Sequence, residues 1–236
     1  MPDVTVCAAV VVEPSGASGE RVLEAVAAQR RPPNEVLPVQ RAGEAAGAAP
    51  FGNPLQSTAA RGADWFWLLD GTAVPQPDAL ERLLEALGLP DLPEPVLLAG
   101  KIVLPDGALD IEGAPWPRLT NKDVAIAACQ HHLVSIRAAR YGSMLVSRAA
   151  LELHGPPRDD LGWTAQILRE GTGLLVPQSV AVREAPVARN PWHDVRLRAA
   201  MLRGPAWGGE EKLWVGFLVA QDAARLLLRR GEKPVS

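Results

Sequence analysis

Asp70-Gly71-Thr72 follows directly on the apolar run Trp65-Phe66-Trp67-Leu68-Leu69, so an acid and a hydroxyl stand two residues apart at the end of a buried strand. In an extended turn, residues i and i+2 face the same way. Open α/β sheets bind their ligands beyond the carboxyl ends of the strands, so the pattern suits a ligand or a metal-bound phosphate. A hard cation prefers charged oxygens, however, and Thr72 supplies only a neutral hydroxyl. The same residues also fit an ordinary strand-to-helix turn. A second cluster, Cys129-Gln130-His131-His132, packs three potential zinc ligands into four residues. Structural zinc takes four ligands, usually as two separated pairs, and His154 and His193 stand alone, so this block reads as a loop or strand edge.

The elements that must position Asp70 are legible around it. WFWLL is a buried strand, and Trp65 and Trp67 share one face while Phe66 takes the other, all as core. Beyond the turn, Pro77 suits a first helical position, Leu80, Leu83, Leu84 and Leu87 recur at i, i+3, i+4 and i+7, and Gly88 suits the helix end. Upstream, Val4–Val12 is a continuous β-branched run. Ser18 is placed to cap a helix through Gln29, with Glu20 in its first turn, and Glu35–Val39 follows as a second strand. Arg41–Gly52 reads as a loop and Asn53–Arg61 as a short helix. Val96–Leu104 and Ala108–Ile111 flank the turn Pro105-Asp106-Gly107 as a hairpin or meander, while Ala114–Ala128 shows no firm pattern. Gly142–Val146 and Leu174–Val182 read as strands, with helices over Arg148–His154 and Asp159–Arg169. After Ala185 the pattern changes to two helices, Trp192–Arg203 and Gly209–Arg230. Strands alternating with helices argue for an α/β domain with a largely parallel sheet.

Composition sets the outer limits. The 236 residues fit one large domain or one domain with an appendage; 47% are apolar and 22% charged, which excludes general disorder and collagen-like repeats. A net charge of −3 gives no support to nucleic-acid binding. Two cysteines cannot build a disulfide framework, and the longest apolar runs, Val4–Val12 and Leu213–Ala220, are too short to cross a bilayer. No basic residue precedes Val4–Val12, and Asp3 has the wrong charge for a signal sequence, so the expected location is the cytoplasm, with reduced thiols.

Four blocks, EAVAAQRRPPNEVLPVQ, ARGADWFWLLDGTAVPQPDALERLLEAL, YGSMLVSRAALELHGPP and WTAQILREGTGLLVPQSVAV, taken in order, resemble family 2 glycosyltransferases of the A-type fold. The terminal NPWHDVRLRAAML and EEKLW are similar to the tail of the bacterial rhamnosyl- and galactofuranosyl-transferase branch. The resemblance implies a mostly parallel central sheet flanked by helices over residues 1–185 and a helical extension over 186–236. It further implies transfer of a sugar from a nucleotide-diphosphate donor to a glycan, lipid-linked or natural-product acceptor, with inversion. A weakly held Mg²⁺ or Mn²⁺ would neutralise the departing diphosphate, and a carboxylate would deprotonate the acceptor.

Carried across residue by residue, the resemblance places the metal turn on Asp70 and Thr72, the last acid being replaced by threonine. The acid that grips the nucleotide after the second strand falls on Gln40, next to Arg41, and the end of the first strand falls on Glu13. The general base falls on Asp160 or Asp159, with the neighbouring aromatic stretch deleted and Gly162 where a further acid belongs. The histidine that closes the metal site falls on Arg183.

These departures concentrate on the donor and the metal. Electrostatic stabilisation of a leaving group is worth roughly 3–4 kcal/mol per well-placed group, so their loss needs compensation. Two accounts follow. Either the enzyme works without a tightly held metal, with a cation such as Arg183 facing the phosphates, or the domain is a non-catalytic binding or assembly partner. Trp116, Trp163, Trp192, Trp207 and Trp214 fall nearer the acceptor side or the tail, where the Cys129–His132 block is a further candidate contact. Leu213–Leu228 carries Trp214, Phe217 and Leu218 with Arg225, Arg229, Arg230 and Lys233 following, a pattern compatible with packing on the domain, a homodimer, or peripheral contact with a membrane.

Overall fold

Two periodicities in the sequence build the layers, alternation along the strands and a 3.6-residue stripe along the helices. A computed structural model describes residues 4–12, 17–40, 51, 55, 62–111, 113–118, 121–157 and 160–184, with scattered positions from 199 to 221. The chain divides into two compact units, Met1–Pro186 and Val187–Ser236. In the first unit, the elements are β1 (Val6–Val12), α1 (Ala17–Ala27), β2 (Glu35–Gln40), β3 (Trp65–Leu69), β4 (Ala73–Pro75), α2 (Ala79–Glu85) and β5 (Pro95–Val103). Then come β6 (Trp116–Pro117), α3 (Lys122–Gln130), β7 (Val134–Ala138), β8 (Ser143–Ser147), α4 (Arg148–His154), α5 (Asp160–Ile167) and β9 (Thr172–Arg183).

The strands form one sheet in the order β2-β1-β3-β8-β5-β9-β7-β6, with β4 paired to β9. β1 pairs in parallel with β2 and β3, and β5 with β9, whereas β8 runs antiparallel between β3 and β5. The described sheet is therefore mixed, where the strand-helix alternation suggested a largely parallel one. The difference lies in β7, β8 and β9, which follow one another with helices of only seven and eight residues between β8 and β9. Because β8 reverses, β5 and β9 point the same way as β1 and β3, so all four end on one edge.

Alternation sorts the core into two layers. Val6, Ala8, Val10, Trp65, Trp67 and Leu69 face Val22 and Val26 of α1 and the leucines of α2. Cys7, Ala9, Val11, Phe66 and Leu68 face the other way, toward Leu151 of α4 and Trp163 and Ile167 of α5. Leu80, Leu83 and Leu84 are wholly buried, worth roughly 1.5–3 kcal/mol each. Trp67 is also wholly buried, and its indole N–H donates to Ser143 Oγ at 3.1 Å, satisfying its one polar atom. Trp163 belongs to this core rather than to an exposed acceptor face, and its indole N–H donates to the Gly155 carbonyl at 3.0 Å.

Helix starts differ from the expected ones for local reasons. α1 already includes Ala17, so Ser18 lies inside its first turn. α2 begins at Ala79, two residues after Pro77, and Asp78 makes no side-chain cap; Gln29 Oε1 instead accepts from the Leu80 N–H at 3.0 Å. The Gln29 amide also donates to the Gln76 carbonyl at 2.8 Å, so one buried side chain joins α1 to the turn before α2. Within Ala114–Ala128, Asn121 caps α3, accepting from the Val124 N–H at 3.4 Å. The loop Arg41–Gly52 lies outside the described residues apart from Phe51, the helix Asn53–Arg61 apart from Leu55, and most of the two C-terminal helices does so as well. Among the described residues, no helix is long and apolar enough to cross a membrane.

The starts of β1 and β3 are fastened by Asp64, whose carboxylate accepts from the Thr5 hydroxyl at 2.6 Å and the Thr5 N–H at 2.8 Å. The hydroxyl bond first, then the backbone bond and the nearby Arg148, hold the Asp64 pKa below its ordinary value. A carboxyl depressed on folding adds stability above its unfolded pKa and loses it as the pH falls through the folded one. Asp64→Asn is thus expected to lower the urea midpoint at about pH 7, with the difference from the parent shrinking as the pH falls below the ordinary carboxylate range.

Candidate functional site

Three chain segments meet at the carboxyl edge. The first is the turn after β3. Its tightest point is Gly71, whose φ of +77° is left-handed and whose α-carbon lies under the end of β1; a Cβ there would sit 1.9 Å from the Val11 carbonyl oxygen. Only glycine gives both that conformation and that approach. The turn is closed by Asp70 Oδ1, which accepts from the Thr72 N–H (2.8 Å), the Thr72 hydroxyl (2.8 Å) and the Ala73 N–H (3.2 Å).

The second segment is β9. Its register against β5 shifts between Gly100 and Lys101, whose partners are Val176 and Val180. Pro177, with no N–H to give, lies in the extra stretch, as expected at a break in a ladder. Beyond it, β9 also pairs with β4, setting Arg183 opposite Ala73.

The third is the hairpin after β5. Gly107 takes a φ of +83°, and the returning strand is reduced to one bridge between Val103 and Leu109. The Asp110 N–H donates to the Ile102 carbonyl at 3.0 Å, which holds Asp110 beside the end of β5.

Where these meet, the Arg183 guanidinium is gripped on three sides. Its Nη2 donates to Asp70 Oδ2, its Nη1 to Asp110 Oδ2, and its Nε to Thr72 Oγ1 at 3.1 Å. The Arg183 side chain is 2% exposed, that of Asp110 3% and that of Asp70 16%. Arg183 therefore turns inward onto carboxylates. Gly113 leaves it room, since a Cβ there would lie 3.0 Å from Nη1, while one on Gly142 would make only ordinary contact with Nη2 at 3.7 Å.

The structure thus brings together Asp70, Thr72 and Arg183 and adds Asp110, which sequence reasoning missed. The signal available was a single acid in the otherwise apolar returning arm of the hairpin, Ala108–Ile111. Gln40 ends β2, exposed, on the same edge and two strands from β3, about 10 Å away by strand spacing. Asp160 opens α5, which Thr164 anchors by donating to the Ala139 carbonyl at 2.9 Å and accepting from the Ala139 N–H at 3.0 Å. Glu13, Arg41 and Asp159 lie outside the described residues. Near the site, Arg21 of α1 forms a two-pronged ion pair with Glu184, which raises the Arg21 pKa through that hydrogen bond first and charge second.

Elsewhere, the Cys129–His132 block forms the end of α3, where His131 Nε2 donates to the Pro90 carbonyl at 3.0 Å and fastens the proline-rich connector. A cavity of about 860 Å³ opens at the opposite edge of the sheet, lined by Val4, Trp65, Leu87, Leu92 and Pro95. It lies at the amino ends of β1, β3 and β5, so it takes no part in this site.

The Asp70 cluster is a poor match for a divalent ion. Every oxygen of the Asp70-Thr72 pair that could serve as a ligand already has a hydrogen-bond partner, and a guanidinium occupies the space between the two carboxylates. An added cation would be repelled by Arg183 and would find no free charged oxygen on Asp70. Among the described residues, no group of three or more His, Cys, Asp or Glu side chains is arranged to hold a metal.

No protein-family model matches the chain, and no curated protein sequence matches it. Solved structures do. A mannosyltransferase, PcManGT from Pyrobaculum calidifontis, in complex with GDP-Man and Mn²⁺, superposes with a TM-score of 0.57 at 13% identity, over 100% of this chain and 77% of that one. GalNAc-T7 with UDP, GalNAc and Mn²⁺ gives 0.53 at 11% identity, over 78% of this chain. The chain has the A-type glycosyltransferase fold. A mycobacterial protein also matches, with a TM-score of 0.56 and 13% identity over 85% of this chain and 74% of the other. The chain spans 44% of the length of GalNAc-T7, and at these identities the likeness is one of fold.

Proposed function

We propose that the protein is a glycosyltransferase of the family 2 type that moves a sugar from a nucleotide-diphosphate donor to an acceptor hydroxyl. The observation that carries this reading is the Asp70-Gly71-Thr72 turn, set by Gly71 against the end of β1 on the ligand-binding edge of an A-type fold. Two structural neighbours that hold a nucleotide or nucleotide-sugar support it. The nucleotide would lie across the ends of β1 and β2, lined by Glu13, Gln40 and Arg41, with the diphosphate near Asp70. Asp160, or Asp159, would take the proton from the acceptor hydroxyl. The freed oxygen would attack the anomeric carbon, the bond to the nucleotide diphosphate would break on the opposite face, and the configuration would invert.

The chemistry of the Asp70 cluster favours a transferase without a tightly held metal. A bare Asp70 carboxylate would repel a diphosphate; pairing with Arg183, which Asp110 shares, offsets part of that repulsion. Binding then rests on contacts to base, ribose and sugar rather than on a bridging ion. In the second unit, Leu213 and Phe217 are 78% and 58% exposed and one helical turn apart, which supports contact through this region with a membrane surface or a second copy.

A native-state ligand present at about 100 times its dissociation constant stabilises by about 2.7 kcal/mol. For a chain of this size, that is a Tm rise of roughly 5–10 °C. We expect one of UDP, GDP or TDP, or its sugar derivative, to produce such a rise, equally in EDTA and in Mn²⁺. No shift with any of them, in either condition, would overturn the transferase reading in favour of a non-catalytic partner.

A further inference from the structure

We infer that Arg183 is a tethered cation standing in place of a divalent ion, and that it blocks a metal site which Asp70, Thr72 and Asp110 would otherwise form. The inference deepens the reading above by assigning its metal independence to one side chain.

Two carboxylates that converge from different segments, both largely buried, must be neutralised on folding. A divalent ion would do this from a point; a guanidinium offsets one of the two charges and hydrogen-bonds both acids through a planar fork whose two Nη groups point at separate acceptors. The structure has the second arrangement, with Nη1 on Asp110, Nη2 on Asp70 and Nε on Thr72. The surroundings are shaped for the larger group. Gly113 and Gly142 border it, and a Cβ on Gly113 would come within 2.7 Å of Asp110 Oδ2 as well as 3.0 Å of Nη1. The β9 register shift and the β4–β9 pairing then fix where Arg183 begins, opposite Ala73. Sequence, register and space therefore all place a permanent positive charge between the two acids.

The consequence is a reciprocal behaviour toward metal. With Arg183 present, the acids have their cation and Mn²⁺ gains little by approaching. Without it, two carboxylates and a hydroxyl are left facing one gap, a hard-oxygen set that attracts a divalent ion.

The test uses the full chain and Mn²⁺ alone, with no nucleotide, so its outcome is independent of the nucleotide panel. The unsubstituted protein is expected to show the same Tm in Mn²⁺ and in EDTA. Arg183→Ala is expected to melt lower in EDTA and to gain roughly 5 °C or more in saturating Mn²⁺. Arg183→Lys keeps the charge and is expected to show no Mn²⁺ response. If Arg183→Ala is recovered only as inclusion bodies, refolding yield in Mn²⁺ against EDTA reads the same difference. A Tm rise with Mn²⁺ in the unsubstituted protein, or none in Arg183→Ala by either readout, overturns the inference. Nucleotide binding that fails while the Arg183→Ala response appears would remove the transferase reading and leave this one standing.

Discussion

Asp110→Ala is expected to cost about 3–5 kcal/mol, the range for removing one partner of a buried ion pair. The reason is the company that Asp110 keeps. It is 3% exposed, and its partner Arg183 is 2% exposed. Without Asp110, the guanidinium keeps only Asp70 and the Thr72 hydroxyl, and an Nη group in the interior loses its acceptor. For a chain of this size, the Tm should fall by on the order of 10 °C, measured by thermal unfolding and checked by urea titration. The double variant Asp110→Ala/Arg183→Met is expected to be less destabilised than the sum of the two single changes, because no buried guanidinium is then left half-paired. Simple additivity would show that the two side chains do not act as a pair.

How much of this was readable beforehand follows from the range of the forces involved. The WFWLL strand, the leucine stripe of α2 and helix α4 over Arg148–His154 were legible, because each is written in side-chain periodicity within one short segment. Trp65 and Trp67 do face one layer and Phe66 the other. Strand β7 was missed, since its sequence, VSIRA, buries a serine and an arginine and shows no apolar run. The largely parallel sheet expected from the alternation fails at β8 for a different reason: parallel or antiparallel pairing depends on which strands become neighbours, and no single segment encodes it. The site divides in the same way. Asp70 was found because a local rule places ligands after a buried strand, and Arg183 because a resemblance marked its position. Their contact, and the part played by Asp110, depends on a register shift in β9 and a hairpin after β5 that meet 73 residues apart in sequence. Thr72 stands for an acid on a metal only through the resemblance, whereas in the structure its hydroxyl donates to Asp70 and accepts from Arg183.

Gly71→Ala is expected to be the most damaging single-methyl addition in the sheet. Two penalties coincide there. An alanine at a φ of +77° costs roughly 1–2 kcal/mol from backbone conformation alone. The added Cβ would also lie 1.9 Å from the Val11 carbonyl oxygen, a backbone atom at the end of a central strand that cannot swing aside. Relief requires parting β1 from the turn, which disturbs the parallel β1–β3 pairing through Val10 and Leu69 and the hydrogen bonds that Asp70 Oδ1 accepts. Gly88 supplies the control, with nearly the same φ, +75°, and nothing within 4 Å of the position a Cβ would take. Gly88→Ala is thus expected to lose only about 1–2 kcal/mol and to keep its response to nucleotide. Gly71→Ala should lose at least about 4 kcal/mol, a large part of the total stability of an ordinary domain, and lose the nucleotide response with it. Equal losses in the two variants, read from urea midpoints, would show that backbone conformation alone sets the cost. The close approach of Gly71 to β1 would then no longer explain why the turn carrying Asp70 and Thr72 is built on glycine.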